Sequence, residues 1–437
     1  MTKKLSVIFL LVLLLAGLFP SITGQAQTQT GITIEVSGPL TPTLVNYIER
    51  SIRYAEQKNA EVLIIVLDTP GGSIDLMNTI IQNIRASQVP VVVYVSPRGA
   101  IAGSAGTLIT LAGHFGVMAP ETAIGAASPV GAQGEEIAET LATKQKEILK
   151  ASVRSLAENR SEEAILLAEE TIETARAVSA NEALSVGLID YIATDLNDLL
   201  TWLDGKSVTL LSGEKTIQTD QMILDPVRMT FIEQLLQLLT NPNILFLLLT
   251  IGVQAVFIEL SNPGGWVAGF IGAVCLILAI YGLGILPVNW FGILFLVVAF
   301  ILFILEIKTP TMGGLTVAGV VSFAVGALVL FNNVETAGFQ GVSIPLVVGT
   351  SIFLGIGIFI VLSFALRALR EPVKTGMETL IGRSGYVVAE ITNRGSVQVA
   401  GEQWSAISFD GKPIPEGAPI IVKAKDGLNL IVSQVEI

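Results

Sequence analysis

From Asn243 to about residue 366 the chain is an almost continuous series of apolar runs, at 244–260, 266–286, 290–307, 313–331 and 344–366. No other feature constrains the fold as strongly. Each run is near the roughly 20 residues that a helix needs to cross a bilayer, and about five spans are expected, the first and third runs being short. The whole chain is 51% hydrophobic and 14% charged, with a mean hydropathy of +0.69, outside the range of soluble proteins. The loop charges orient the block. Lys308, Arg367, Arg370 and Lys374 fall on one side if the spans alternate, whereas 332–343 carries no Lys or Arg. The positive-inside rule then puts the 308 loop and the C-terminus in the cytoplasm and the N-terminal region outside. Lys3 and Lys4, followed by apolar Leu5–Phe19 and then small and polar residues with a cleavage point at Ala26, read as a secretory signal over 1–26 and agree with that orientation. Glu306, at the end of a span beside Lys308, reads either as an intramembrane functional carboxylate or, as the end of the span favours, as an interfacial one.

Between about Gly31 and Leu200, apolar strands alternate with amphipathic helices. IEV at 34–36, VLIIVLD at 62–68 and VVVYV at 91–95 read as buried strands; 42–58 and 74–85 have helical apolar spacing. Strands separated by helices imply a parallel sheet with helical crossovers, an α/β domain whose site lies at the carboxyl ends of the strands. Two loops leave from those ends: Asp68-Thr69-Pro70-Gly71-Gly72 and the small-residue turn Gly99–Gly106. The second holds Gly103-Ser104-Ala105-Gly106, one hydroxyl among residues with almost no side chain, between a strand and a helix start. That arrangement exposes a serine and aims backbone N–H groups and a helix dipole at it. Close packing alone would also favour small residues there. A helix rich in Ala, Lys and Glu is expected over 137–158, and AVSANEALSVGLIDYIA at 177–193 closes the domain; 201–230 reads as a small hairpin and a linker.

Composition narrows the chemistry. With one cysteine, Cys275, and one histidine, His114, neither a disulfide framework nor a histidine-based zinc site can be built. A net charge of −12 argues against nucleic acid as a partner. Nor does His114 suit Ser104: on one helix the ten residues between them are about 15 Å of rise. The base left for a serine is a lysine held as the free amine by desolvation. Lys144, Lys146 and Lys150 lie on the helix after the turn, whose apolar stripe is read as Leu141, Ile148, Leu149 and Leu156. At about 100° per residue Lys150 points away, while Lys144 and Lys146 flank the stripe on opposite edges, so periodicity leaves both open. Gly71, Gly72 and the N–H of Ala105 are the candidate oxyanion donors. No cofactor is implied; no Walker-type phosphate loop is present.

After Glu371 five short strands, at 386–391, 395–399, 404–408, 418–424 and 428–435, are separated by turn signals such as Asp410-Gly411 and Asp426-Gly427. Their number and spacing suggest a closed all-β barrel of the OB type, and without a basic face it suits a protein partner better than nucleic acid.

DTPGG at 68–72, GAIAGSAGT at 99–107, IGAASPV at 124–130 and AVSANEALSVGLID at 177–190 resemble the long NfeD-type membrane-bound serine protease of the Clp protease/crotonase superfamily. The membrane block and the terminal barrel resemble the same family's arrangement. The resemblance implies a spiral Clp/crotonase-like α/β domain and an ATP-independent serine endopeptidase with a Ser-Lys dyad. Its serine falls on Ser104, and its lysine on Lys144, ten residues before Arg154 in the segment RSLAE. Ser128 stands where the family often has a histidine. The resemblance further implies cleavage of hydrophobic segments of stomatin-like (SPFH) membrane proteins, partnership with them, and homo-oligomerisation of the protease domain. The expected organisation is a signal over 1–26, a protease domain and linker over 27–230, a membrane domain over 231–370 and a barrel over 371–437 in a multi-pass protein of the cell membrane. Two rivals belong to other classes: a non-proteolytic scaffold for stomatin assemblies, and a crotonase-like acyl-CoA enzyme, which export disfavours.

Overall fold

The computed structural model describes residues 29–131, 138–261, 264–286, 288–309, 311, 313–331, 341–370 and 377–435. The expected signal, most of the 332–343 loop and Lys374 lie outside them. Two compact units are present, the second beginning at Ile360.

The first unit opens with β1 (Thr30–Ser37), α1 (Pro42–Gln57), β2 (Leu63–Asp68), α2 (Ile74–Ala86) and β3 (Val91–Val95). It continues with β4 (Ile101–Gly103), α3 (Ala105–Ala112), β5 (Phe115–Met118), β6 (Ala123–Gly125), α4 (Glu139–Leu156), α5 (Glu162–Glu173), β7 (Ala177–Ser179), α6 (Ala180–Ser185), β8 (Tyr191–Ile192) and α7 (Leu196–Leu203). Then come β9 (Ser207–Leu210), β10 (Gly213–Thr216), β11 (Ile223–Pro226) and α8 (Phe231–Leu238). Both expected early helices have the start signals that their sequence offers. Thr41 accepts from Leu44 N–H ahead of Pro42 in α1, and Ser73 accepts from Leu76 N–H ahead of α2.

A six-stranded sheet in the order β11-β1-β2-β3-β5-β8 carries the domain, and each of its pairings is parallel. The period of two in β2 sorts its side chains between two cores. Leu63, Ile65 and Leu67 pack with α1, α2 and α3, while Ile64 joins Val92, Tyr94 and Val117 against Leu199 and Leu203 of α7. Each fully buried aliphatic side chain contributes about 1.5–3 kcal/mol. The segment expected to be a linker is part of this sheet: β11 pairs beside β1, Thr30 opposite Ile223.

The Ser104 turn does not leave β3 directly. The chain first builds β4, which belongs to a separate three-stranded sheet in the order β4-β6-β7.

The membrane part of this unit consists of α9 (Pro242–Ser261), α10 (Val267–Leu283), α11 (Trp290–Lys308), α12 (Gly314–Leu330) and the first part of α13 (Ile344–Arg370), which continues into the second unit at Ile360. Pro242–Leu260 is the one stretch among the described residues with the length and apolarity of a span; the apolar stretches of the other four are 10–17 residues long. The helices α9–α10 and α11–α12 form two hairpins built on one plan. In the first, the carboxylate of Glu259 accepts the N–H groups of Gly264, Trp266 and Gly269 at 3.2–3.3 Å. In the second, Glu306 accepts from Thr311 N–H and Oγ1 at 2.8 Å, Gly313 N–H at 3.1 Å and Thr316 N–H at 3.0 Å. Each glutamate thus satisfies the orphan N–H groups at the start of the next helix. Glu306 is fully buried within the protein; a carboxylate with four donors tolerates burial that a bare one would not.

The second unit ends in β12 (Ser384–Ala389), β13 (Gly395–Val399), β14 (Glu402–Ser408), β15 (Pro419–Asp426) and β16 (Asn429–Gln434). These close into a barrel in the order β12-β13-β14-β16-β15, around Val387, Val397, Ala406, Ile420, Val422, Leu430 and Val432. The five strands expected from the sequence are those observed, and closure leaves no open sheet edge.

Candidate active site

The DTPGG segment and the serine turn meet at the carboxyl ends of β2 and β4. Thr69 and Ala102 form a parallel bridge, with Thr69 N–H donating to Ile101 O at 2.8 Å and Gly103 N–H to Thr69 O at 2.9 Å. Asp68 Oδ1 accepts from Ile101 N–H at 3.0 Å. From the other side, Ser104 N–H donates to Gly125 O at 2.8 Å. Thr107 Oγ1 donates to Gly125 O and accepts from Gly125 N–H, both at 3.0 Å. β4 and β6 therefore hold the turn between them.

Ser104 sits at φ 52°, ψ −119°, a left-handed conformation that costs a non-glycine residue about 1–3 kcal/mol. A sharp strand-to-helix turn of this kind presents Oγ to the outside. Gly71 lies against it: a Cβ added there would stand 2.6 Å from Ser104 Cβ and 3.1 Å from Oγ, at a φ of +119°.

The candidate donors divide. Gly71 N–H is already engaged with Thr69 Oγ1 at 3.1 Å. The N–H groups of Gly72 and of Ala105, the first residue of α3, have no partner among the described residues. Gly72, Ser104 and Ala105 line one cleft of about 760 Å³, with Leu40, Met77, Leu108 and Leu149 among its apolar walls.

The lysines fall elsewhere. Lys146 Nζ donates to Glu173 O at 2.8 Å. Lys150 Nζ donates to Glu147 Oε1 at 2.8 Å and Glu173 Oε2 at 3.2 Å, and these carboxylates hold its ammonium pKa above the ordinary lysine value. Lys144 is exposed and makes no hydrogen bond or ion pair among the described residues. It does not line the cleft; its neighbour Gln145 does, with Oε1 buried and unpartnered. Ser104, Gly71, Gly72 and Ala105 thus come together, and Lys144 does not join them. The reason is the face that α4 buries. Leu149 and Val153 point inward, whereas Leu141 is 51% and Ile148 66% exposed. The buried stripe runs through 145, 149 and 153 and not through 141 and 148, so Gln145 is the inward-facing residue that the apolar pattern missed. The helix has no side-chain N-cap at Ala138, and its first turn is exposed.

His114 lies at the start of β5, where its N–H donates to Val91 O at 2.8 Å and its Nδ1 accepts from Val91 N–H at 3.0 Å. That is the amino end of β3, opposite the cleft. Burial, with the Arg85 charge adding to it, lowers its pKa from 6.5 to about 4, leaving a neutral structural imidazole. Ser128 lines the cleft, but its hydroxyl is bound to the carbonyl of Ile172.

Similarity to known proteins follows the same division of the chain. Three family models match it: the NfeD1b N-terminal domain at 32–211, the NfeD integral membrane domain at 243–364 and the NfeD-like C-terminal, partner-binding domain at 377–434. The membrane-bound protease PH1510 of Pyrococcus horikoshii is 37% identical over 408 residues, covering 91% of this chain and 92% of that protein. The membrane protein NfeD1b of Bacillus subtilis is 26% identical over 395 residues, covering 86% and 83%. Among solved structures, the 1510-N membrane protease specific for a stomatin homolog, from Pyrococcus horikoshii, is 32% identical over 48% of this chain and 97% of that one, with a TM-score of 0.41. With its N-terminal, integral membrane and C-terminal partner-binding domains all present, the chain belongs to the NfeD family.

Proposed function

We propose that this protein is a membrane-anchored, ATP-independent serine endopeptidase with Ser104 as nucleophile and Lys144 as general base. The observation that carries the reading is the strained Ser104 turn, locked against Gly71 and opening into a cleft where the N–H groups of Gly72 and Ala105 stand without partners. The full-length archaeal relative is a membrane-bound protease.

In the proposed reaction Ser104 Oγ attacks the peptide carbonyl carbon while its proton passes to Lys144 Nζ. The tetrahedral oxyanion is held by Gly72 and Ala105 N–H, with Gly71 shaping the approach. Collapse breaks the C–N bond, the leaving amine takes the proton from Lys144, and water then hydrolyses the acyl ester by the same route. Lys144 is one residue, about 100° of helix, from Gln145. It lies at the exposed, uncapped start of α4, and a rearrangement there that carries Nζ into the cleft would desolvate the amine as a base requires. Lys146 is the weaker candidate because Glu173 holds it.

The resemblance and the relatives bring the remaining assignments: cleavage of hydrophobic segments of stomatin-like (SPFH) membrane proteins, and association with them through the barrel. The resemblance alone implies a homo-oligomeric protease domain, for which exposed Leu141 and Ile148 offer apolar surface. The proposed organisation is a signal over 1–26, a protease domain over 27–230, a membrane domain over 231–370 with about five spans, and a barrel over 371–437. The loop charges put the protease domain outside and the barrel in the cytoplasm.

The test is cleavage of an apolar peptide by the full chain and its Ser104→Ala, Lys144→Ala and Lys146→Ala variants. Loss of at least about a thousandfold in kcat is expected for the first two, with Lys146→Ala retaining most activity. Undiminished cleavage by Ser104→Ala would sink the nucleophile, and loss confined to Lys146→Ala would move the base. Absence of cleavage by every protein would favour the scaffold.

A further inference from the structure

The cleft that opens on Ser104 is not closed by the protease domain alone. Gly284, Ile285 and Leu286, the turn between α10 and α11 of the membrane domain, line it together with Gly72, Ser104 and Ala105. Leu286 is only 6% exposed. Two fixed contacts hold this turn in place. First, α8 is clamped to α1. Glu233 receives two hydrogen bonds from the Arg50 guanidinium, at 2.9 and 2.7 Å, Thr41 Oγ1 donates to Gln237 Oε1 at 2.8 Å, and Tyr47 OH donates to Val227 O at 2.6 Å. Leu40 and Pro42, on either side of Thr41, are themselves cleft residues. Second, the corner between α8 and α9 packs on the end of α10. A Cβ placed on Gly282 would stand 2.7 Å from Leu239 O and 2.6 Å from Leu245 Cδ1, so the backbones there meet without room for a side chain.

We propose that the 284–286 turn is a substrate-specificity element, with Ile285 and Leu286 forming the membrane-side wall of the peptide-binding cleft. The occupant is an extended apolar segment of another membrane protein, gripped where it leaves the bilayer surface. Its chemistry follows from the walls, since Leu40, Met77, Leu108 and Leu149 line the same cleft as Ile285, Leu286 and Ser104. Its location follows from the origin of one wall in a turn between membrane helices. The inference rests on the cleft being the substrate site of the proposed protease. It adds that the membrane helices select the substrate as well as anchoring the enzyme.

The test uses the full chain in nanodiscs. In a Ser104→Ala background, the affinity for a fluorescein-labelled apolar peptide is compared for intact Ile285, Ile285→Glu, Ile285→Val and Leu286→Ala. Binding at least about fivefold weaker is expected for Ile285→Glu and Leu286→Ala, with recovery in Ile285→Val, because burying a carboxylate or losing side-chain contact is unfavourable in an apolar wall. With Ser104 restored, KM for the same peptide rises, kcat is unchanged, and labelling of Ser104 by a small fluorophosphonate proceeds at the parental rate. Equal affinities across the series, or no binding by any of the proteins, overturn the proposal. Loss of fluorophosphonate labelling in the parent, with the binding differences intact, instead overturns the protease reading and leaves the cleft wall standing. Leu286→Ala, a simple truncation, keeps the result interpretable if Ile285→Glu fails to fold.

Discussion

At Ser104 the chain gives up stability for position. The angles φ 52°, ψ −119° suit glycine and strain serine, so Ser104→Gly should raise the unfolding free energy by about 1 kcal/mol while abolishing cleavage. Ser104→Ala keeps the Cβ and should leave stability within about 0.5 kcal/mol of the parent. Denaturant unfolding of the three proteins reads the order, and a Ser104→Gly protein less stable than Ser104→Ala would show that the turn is not strained. Gly71→Ala places a methyl 2.6 Å from Ser104 Cβ, and a fall of at least about a hundredfold in kcat is expected, since a 1 Å displacement of the nucleophile is enough for that. His114 governs acid behaviour instead of catalysis. Its pKa is about 4 in the fold against 6.5 for the free side chain, so between those values the unfolded chain binds the extra proton. Its contribution to stability is complete above pH 6.5 and is lost as pH falls towards 4, with a slope of at most about 1.4 kcal/mol per pH unit. Between pH 6.5 and 4 the melting temperature of the parent should fall more steeply than that of His114→Gln, and parallel pH profiles would contradict the assignment.

At the scale of elements, most of what the sequence offered was periodicity, and periodicity was reliable where a segment had one buried face. The α1 and α2 helices, β2, β3 and all five barrel strands formed where their patterns placed them. It failed where apolar residues stayed at the surface: Leu141 and Ile148 gave α4 an apparent stripe, but Leu149 and Val153 are its buried residues. β4 was hidden because three residues, Ile101-Ala102-Gly103, are too few to show alternation, and its partner β6 lies about twenty positions further on. The division between Gly71, whose N–H is used by Thr69, and Gly72, whose N–H has no partner among the described residues, depends on hydrogen bonds that no spacing encodes. The burial of Glu306 likewise depends on four donors from the next turn and helix, which its position in the sequence does not encode. Glu306→Ala strands those donors and should lower the stability of the protein in detergent by about 3 kcal/mol or more. A thermal scan that does not move with this substitution would show that the hairpin needs no such cap.

For the whole molecule, composition revealed a membrane protein with soluble parts at each end, and the motifs revealed the family. What neither could reveal is that the turn at 284–286 returns to the cleft that Ser104 lines, because contacts between distant segments leave no trace in local pattern. The clamp between Arg50 and Glu233, whose side chains are 33% and 14% exposed, should therefore matter beyond its worth as a partly exposed ion pair, about 1 kcal/mol. Arg50→Ala is expected to raise KM for apolar peptides severalfold with little change in melting temperature, and an unchanged KM would mean that the tether does not align the cleft. The central claim is that Ser104 is an activated nucleophile. Mass-spectrometric mapping of a fluorophosphonate adduct on the full chain tests it most directly. One adduct, on Ser104 and absent from Ser104→Ala, is the expected result; labelling at another residue, or equal labelling of both proteins, would contradict it.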